Sequence, residues 1–212
     1  MINLINYSIN SIVFIEGYDG VTYKFWSENS TELVGLRAEI RKHYLAEQGY
    51  VCAYCRCEHL QTHGFSWDID HIIPKSRYPK YLFEPANLII SCKDCNTAKG
   101  DYDPLIVTKG INKIYPPDGT YFNIIHPHYD KYEEYIEVFV LGRRRLYIPE
   151  VGHEKATNTI IRCNLIRYSW KFAGAANFRD EIVSAVSKFI NSCNVGDSAE
   201  KIISQMGHLK FD

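Results

Sequence analysis

Two Cys-x-x-Cys pairs, Cys52-Ala-Tyr-Cys55 and Cys92-Lys-Asp-Cys95, constrain this chain more than any other feature. Each pair can sit on a tight knuckle and offer two thiolates at the angle a tetrahedral ion needs. Four thiolates close such a site and leave no position for water, which is the pattern of structural zinc. Of the seven cysteines, Cys52, Cys55, Cys57, Cys92 and Cys95 fall in these two windows, while Cys163 and Cys193 stand apart. In a reducing compartment such clustering points to metal binding rather than disulfides. The alternatives are a redox pair or cysteines buried without a common site. A redox pair normally follows a strand in a thioredoxin-like βαβ pattern, which this sequence lacks. Cys57 is close enough to compete as a ligand, although Cys-x-Cys from Cys55 suits a knuckle less well. A segment this short buries too little apolar surface to fix its own geometry, and zinc adds on the order of 10 kcal/mol or more to folding in small modules.

The knuckles bracket "DIDHIIPKSRYP", Asp68 to Pro79. Zinc held by four cysteines has no open position, so any chemistry lies beside it. The polar candidates are Asp70, His71, Asn87, Asn96 and Lys99. "FSWDIDHII" alternates like a strand, which places Asp68 and Asp70 on one side and His71 on the other. Asp70 and His71 then meet at one ion only if the strand bends or a helix crosses its face. Taken singly, His71 reads as an ordinary core or surface histidine, Asn87 as a turn cap and Lys99 as a solvated helix end.

Taken together, "CAYC … DIDHIIPKSR … NLIISCKDCNTAKG" resembles the HNH nucleases and their ββα-metal fold. The resemblance covers residues 50–101, roughly a quarter of the chain. It implies that Asp70 and Asn96 are ligands of a catalytic divalent cation, and that His71 is the general base that takes a proton from the attacking water. It also implies that Asn87 holds the loop and orients the His71 ring through its backbone carbonyl, and that Lys99 contacts a phosphate. Asn96 stands where many members carry His; an oxygen ligand suits Mg²⁺ or Mn²⁺. The implied activity is hydrolysis of phosphodiester bonds in DNA, leaving 5′-phosphate and 3′-hydroxyl ends. An unperturbed imidazole, with a pKa of about 6.5, suits base work near neutral pH.

Around this module the chain reads as α+β. Residues 1–49 form an N-terminal hairpin and helix, with strands at "SIVFIE" (11–16) and "VTYKFW" (21–26) joined by "GYDG". The helix has Ser30 or Thr31 as cap, Leu33, Leu36, Ile40, Tyr44 and Leu45 as its apolar stripe, and Gly49 as its stop. Residues 50–101 are the HNH module, and residues 102–212 a hairpin ("YIEVFV" with "RLYIPEV") followed by helices at 154–163, 166–191 and 197–206. His59 and His63 read as loop residues, with zinc or phosphate contact as the alternative, and Asp101 and Asp103 read as turn residues. "HPHYD" places His126, His128 and Asp130 at metal-like spacing. A second metal or a DNA-contacting loop is one reading, and an ordered proline turn the other.

The net charge of −1 does not advertise a nucleic-acid binder, but the charge is uneven. Residues 143–171 carry Arg143, Arg144, Arg145, Lys155, Arg162, Arg167 and Lys171 against Glu150 and Glu154, whereas residues 102–142 carry three lysines against six acids. The stretch around Arg143–Arg145 is a candidate DNA contact, and a solvated face is the plainer reading. No run is long and apolar enough to span a membrane, and no secretory signal opens the sequence, so a cytoplasmic protein is expected. "HEKATNTIIRCNLIRYSW" resembles the helical part of HNH proteins that accompany ATPases in bacterial anti-phage systems of the Septu and retron-linked kind. The match rests on Thr159, Ile160, Asn164 and Leu165 and implies an ATPase partner docked on the C-terminal helices. A helical layer completing the core is the alternative there. For the whole chain the alternative is a zinc-stabilised subunit that binds nucleic acid or a partner without cutting.

Overall fold

The computed structural model describes residues 2–106, 114–141, 144–168 and 197–207. The chain divides into two compact units, residues 1–122 with 126–130, and residues 123–125 with 131–212. The fold is α+β, with small antiparallel sheets and short helices.

The first unit begins with a correction. The strands expected at 11–16 and 21–26 are a helix, α1 (Ile9–Glu16), and a single 3-10 turn (Tyr23–Ser27). The β-branched run favours a strand by propensity, but capping and tertiary anchoring override it. Ser8 caps the helix by accepting from the Ser11 amide. The Glu39 carboxylate accepts from the Ser8 amide (2.7 Å) and from the Ser8 hydroxyl (3.1 Å). Downstream, the Asp19 carboxylate takes the Val21 and Thr22 amides (2.9 Å each), an Asx turn that prevents strand pairing.

The next helix, α2 (Thr31–Glu47), is capped by Ser30 and buries Leu33, Leu36, Ile40, Tyr44 and Leu45, the stripe read from the sequence. It ends where Gly49 adopts φ 59°. The Tyr50 amide then reaches back to Leu45 O (3.0 Å) and the Gly49 amide to Ala46 O (3.1 Å), a Schellman stop. Gln48 behaves like a missing strand. Its side chain accepts from the Ile90 amide (2.8 Å) and donates to the Ile90 carbonyl (2.7 Å).

Strands β1 (Trp67–His71) and β2 (Leu88–Cys92) pair antiparallel, with Asp70 opposite Ile89 and His71 opposite Leu88. α3 (Lys93–Lys99) follows β2 at once, completing the ββα order and packing on both strands, while α2 packs on β2.

In the second unit the expected hairpin is present as β3 (Ile136–Leu141) and β4 (Arg144–Pro149), with Leu146 opposite Phe139. α4 (Glu154–Arg162) and α5 (Ala199–Met206) pack on each other and on β4 around Leu146, Ile148, Ile160, Ile203 and Met206. Asn164 stops α4 at φ 49°, with Leu165 N–H on Ile160 O (2.8 Å) and Asn164 N–H on Ile161 O (3.0 Å). Thr159 and Ile160 are buried in α4, so these residues work as core and as helix stop. Most of the helix expected over 166–191 lies outside the described residues. Among the described residues, no helix is long and apolar enough to cross a membrane.

Candidate active site

The cysteines converge as the spacing predicted. Cys52, Cys55, Cys92 and Cys95 are buried, and their sulfurs lie within 4.8 Å of one another. Cys55 Sγ and Cys92 Sγ are 3.8 Å apart. A tetrahedral ion with metal–sulfur bonds of about 2.3 Å sets its ligands about 3.8 Å apart, so the cluster has the size of a metal site. The first knuckle turns on Arg56 at φ 53°, whose amide reaches Cys52 O (3.0 Å). Cys57 is not one of the four. It closes the knuckle through its carbonyl, which accepts from the Cys52 amide (3.0 Å). The Cys92 amide donates to Cys52 Sγ (3.2 Å). Burial pushes the Cys52 thiol well above the ordinary range, whereas hydrogen bonds from Cys52, Cys55 and Cys95 hold Cys92 far below it. A set of buried sulfurs sharing protons in this way suits a cation that replaces those protons.

Beside the sulfurs, three residues singled out in the sequence meet at one small cavity. Asp70, His71 and Asn96 line a space of about 140 Å³ together with Lys75, Gly100 and Asp101. The meeting happens because α3 crosses β1, so Asn96 lies over the Asp68–Asp70 face. His71 stands at the end of the strand and reaches the same cavity.

The His71 ring is buried, with its Nε2 3.0 Å from the Leu82 carbonyl and its plane perpendicular to Trp26 (centroids 4.6 Å apart). A carbonyl only accepts, so Nε2 carries the proton and Nδ1 keeps the lone pair. Burial, and then the positive charge of Lys75, push the His71 pKa down to about 3. The ring is therefore a neutral base throughout the physiological range, and a weaker one than an unperturbed imidazole.

Asn87 differs from the expectation in one respect. It does hold the loop: its side chain accepts from the Ile73 amide (2.7 Å) and donates to Ile73 O and Tyr81 O (3.1 Å each). Its backbone carbonyl, however, accepts from the Ile72 amide (2.9 Å), and Leu82 orients the His71 ring instead. Asn87 is braced in turn by Tyr115, whose hydroxyl donates to Asn87 Oδ1 (3.3 Å) and lies 3.0 Å from His126 Nε2.

Lys99 is a clearer departure. A phosphate contact needs an exposed ammonium, yet Lys99 Nζ is buried, donating to Asp70 Oδ1 and to the His71 carbonyl (2.9 Å each). The other Asp70 oxygen accepts from Tyr54 OH (2.6 Å). An ionised carboxylate has about four acceptor positions, so both oxygens retain lone pairs. Asn96 is fixed by donating Nδ2 to Asp68 Oδ2 (2.9 Å), and Asp68 Oδ1 also takes Lys93 Nζ (2.6 Å). With its nitrogen so engaged, the oxygen is the atom of this amide that could ligate a cation.

The remaining candidates fall elsewhere. His126 and His128 are buried in the packing, with His128 Nε2 on Leu88 O (2.8 Å) and His126 stacked on Tyr129. Asp130 accepts from the His126 amide (2.7 Å), so "HPHYD" is an ordered turn. Among the described residues the four cysteines are the one cluster of His, Cys, Asp and Glu able to hold a metal. His59 packs edge-on against Trp67. Asp103 takes the Tyr78 hydroxyl (3.0 Å) and the Leu105 amide (3.2 Å), as a turn residue does. Arg143 lies outside the described residues, and Arg145 sits in β4 of the second unit. The sequence reading missed Tyr54, Trp26, Leu82 and Tyr115. Only Tyr54 had a local signal, as the polar residue inside a knuckle beside Asp70.

Residues 52–102 match the family model described as HNH endonuclease. Over 52 residues the chain is 38% identical to Septu protein PtuB of Bacillus thuringiensis, covering 24% of this chain and 20% of that protein. Over 87 residues it is 31% identical to Protein ea31 of Escherichia phage lambda, covering 41% of this chain and 24% of that protein. The matched stretches thus span a quarter or less of either relative's length.

Proposed function

Taking the HNH endonuclease domain at residues 52–102 as the premise, we propose that this chain hydrolyses phosphodiester bonds in DNA and serves bacterial anti-phage defence. The observation that carries the proposal is the shared cavity of Asp70, His71 and Asn96 next to four clustered cysteines. The cysteines would hold a structural Zn²⁺, since four buried sulfurs at this spacing suit that ion and leave no position for water. Asp70 and Asn96 would hold a catalytic Mg²⁺ or Mn²⁺, because both offer hard oxygens at the cavity. When bound, that cation stabilises negative charge developing on the phosphate and on the leaving oxygen.

The chain's own residues supply the rest. His71 Nδ1 accepts the proton of the attacking water while Leu82 keeps Nε2 protonated and the ring in place. A phosphodiester entering beside Lys75 offsets the repulsion that lowers the His71 pKa, which strengthens the base when substrate is bound. Lys99 holds the Asp70 carboxylate and the His71 carbonyl in register, a positioning role in place of phosphate contact. The Septu relative supports the defence role, and an ATPase partner belongs to the same proposal.

A second reading, a zinc-stabilised binding subunit that does not cut, draws on the closure of Asp70, which is 4% exposed with both oxygens already bonded. Plasmid cleavage separates the two. The chain, with the proposed ATPase partner added, is expected to nick or cut with Mg²⁺ or Mn²⁺, and His71→Ala to lose about 10²–10⁴-fold of that activity. DNA binding without cleavage across the ion series would establish the second reading instead.

A further inference from the structure

Next to the catalytic cavity lies a larger one, of about 440 Å³, that the HNH module does not build alone. Its wall includes Arg37 and Arg41 from α2, which precedes the matched segment, together with Trp26, Lys75, Asp68 and Asn96. Lys75 and Asn96 also line the smaller cavity, so the two spaces adjoin at shared side chains.

Arg37 and Arg41 are one turn apart on the same helix face. Arg37 is aimed: its Nη1 donates to Trp26 O (2.8 Å) and its Nη2 to Asn29 Oδ1 (3.5 Å). Arg41 Nε is buried with no hydrogen-bond partner. Burial and then the neighbouring Arg37 disfavour the Arg41 charge, and Asp68 favours it. Asp68 is the one carboxylate lining this space, and it already accepts from Lys93 and Asn96. Three cations thus face a polar cavity with one committed anion, and one buried guanidinium donor is unsatisfied. A buried donor left unpaired is destabilising, and an incoming anion removes that cost. A guanidinium fork matches the oxygens of a phosphate in geometry as well as charge.

We infer that Arg37 and Arg41, with Lys75, bind the phosphodiester backbone of the substrate strand beside the scissile phosphate. The inference rests on the nuclease reading only in identifying the strand as substrate. It also gives a chain of net charge −1 a local means of holding a polyanion, two arginines of α2 turned to one cavity next to the site.

The test is the salt dependence of binding to a short labelled DNA duplex by fluorescence anisotropy. It uses the full-length His71→Ala chain without added divalent ions, so that nothing is cut and the cysteine site is undisturbed. Each phosphate contact adds about 0.9 to the slope of log Kd against log salt. Arg37→Gln/Arg41→Gln is expected to lower that slope by about 1.8 and to weaken binding alike for all sequences. Arg37→Lys/Arg41→Lys keeps the charge and most of the slope, which guards against misfolding as the cause. Lys131→Gln, on an exposed ion pair with Glu134 and in the lining of neither cavity, leaves the slope unchanged. An unchanged slope in the glutamine pair, or a parent that does not bind the duplex, overturns the inference. So does inorganic phosphate at matched ionic strength binding as tightly as duplex, since the pocket would then serve a free anion. Cleavage by the unmutated chain, with the proposed ATPase partner added, is scored separately. An active enzyme whose glutamine pair keeps the full slope sinks this inference alone, and an inactive chain whose glutamine pair loses slope sinks the nuclease reading alone.

Discussion

Replacing Lys99 with Met separates what the structure says of that residue from what its place in the motif suggests. Lys99 and Asp70 form an ion pair of 2.9 Å with side chains 1% and 4% exposed, and Lys99 Nζ also holds the His71 carbonyl. Removing the ammonium leaves Asp70 buried with only the Tyr54 hydroxyl as a charge-compensating donor. Breaking one side of a buried pair costs about 3–5 kcal/mol, far more than the 0–1 kcal/mol of a surface pair. Asp70→Asn on top of Lys99→Met removes the orphaned charge, so the double variant should be more stable than Lys99→Met alone, with a coupling of about 2 kcal/mol or more. Urea unfolding of the zinc-loaded chain, compared at the midpoint with a constant m-value, reads both numbers. If Lys99→Met cost less than about 1 kcal/mol and instead reduced the salt slope of DNA binding, the lysine would be a phosphate contact and the positioning role would be wrong.

Two further outcomes follow from the same geometry. Mass spectrometry under native conditions should find one Zn²⁺ per chain, and either chelation or Cys55→Ser should unfold the ββα module, since a structural zinc on the four cysteines would contribute on the order of 10 kcal/mol; a module that keeps its structure without metal contradicts this. His71 has a folded pKa of about 3 against an ordinary 6.5, so the unfolded chain binds the extra proton between those values. The stability contributed by neutral His71 is complete above about pH 6.5 and is lost as pH falls toward 3, roughly 3 kcal/mol by pH 4.5. Acid titration of the unfolding midpoint should therefore be steeper for wild type than for His71→Ala, and equal slopes would show that the ring is not buried as described.

What could be read in advance was local and periodic. The metal knuckles announced themselves by spacing, and the α2 stripe with its Ser30 cap and Gly49 stop followed from the 3.6-residue repeat. The hairpin at Ile136–Pro149 showed as two β-rich runs around a turn. Failures came where distant partners decided the outcome. Residues 11–16 favour a strand on their own, but Glu39 on α2 collects the Ser8 and Ser11 groups and fixes a helix start. Lys99 reads as a solvated helix end because nothing in its neighbourhood reveals Asp70, reached only when α3 folds over β1. The carbonyl that holds His71 belongs to Leu82, and no side-chain pattern marks which backbone oxygen will face a ring. Arg37 and Arg41 drew no notice in the sequence because they lie off the apolar stripe of α2, and only the packing of α2 beside β1 makes them a cavity wall.

Chemical rescue addresses the base most directly. His71→Ala opens a space between Trp26 and Leu82 of the size of an imidazole ring. With Mg²⁺ present, plasmid cleavage by that variant should fall about 10²–10⁴-fold and recover in part as free imidazole is added, more strongly with amines of higher pKa. Full cleavage by His71→Ala without any added amine would contradict the account, because some other group would then be taking the proton from water.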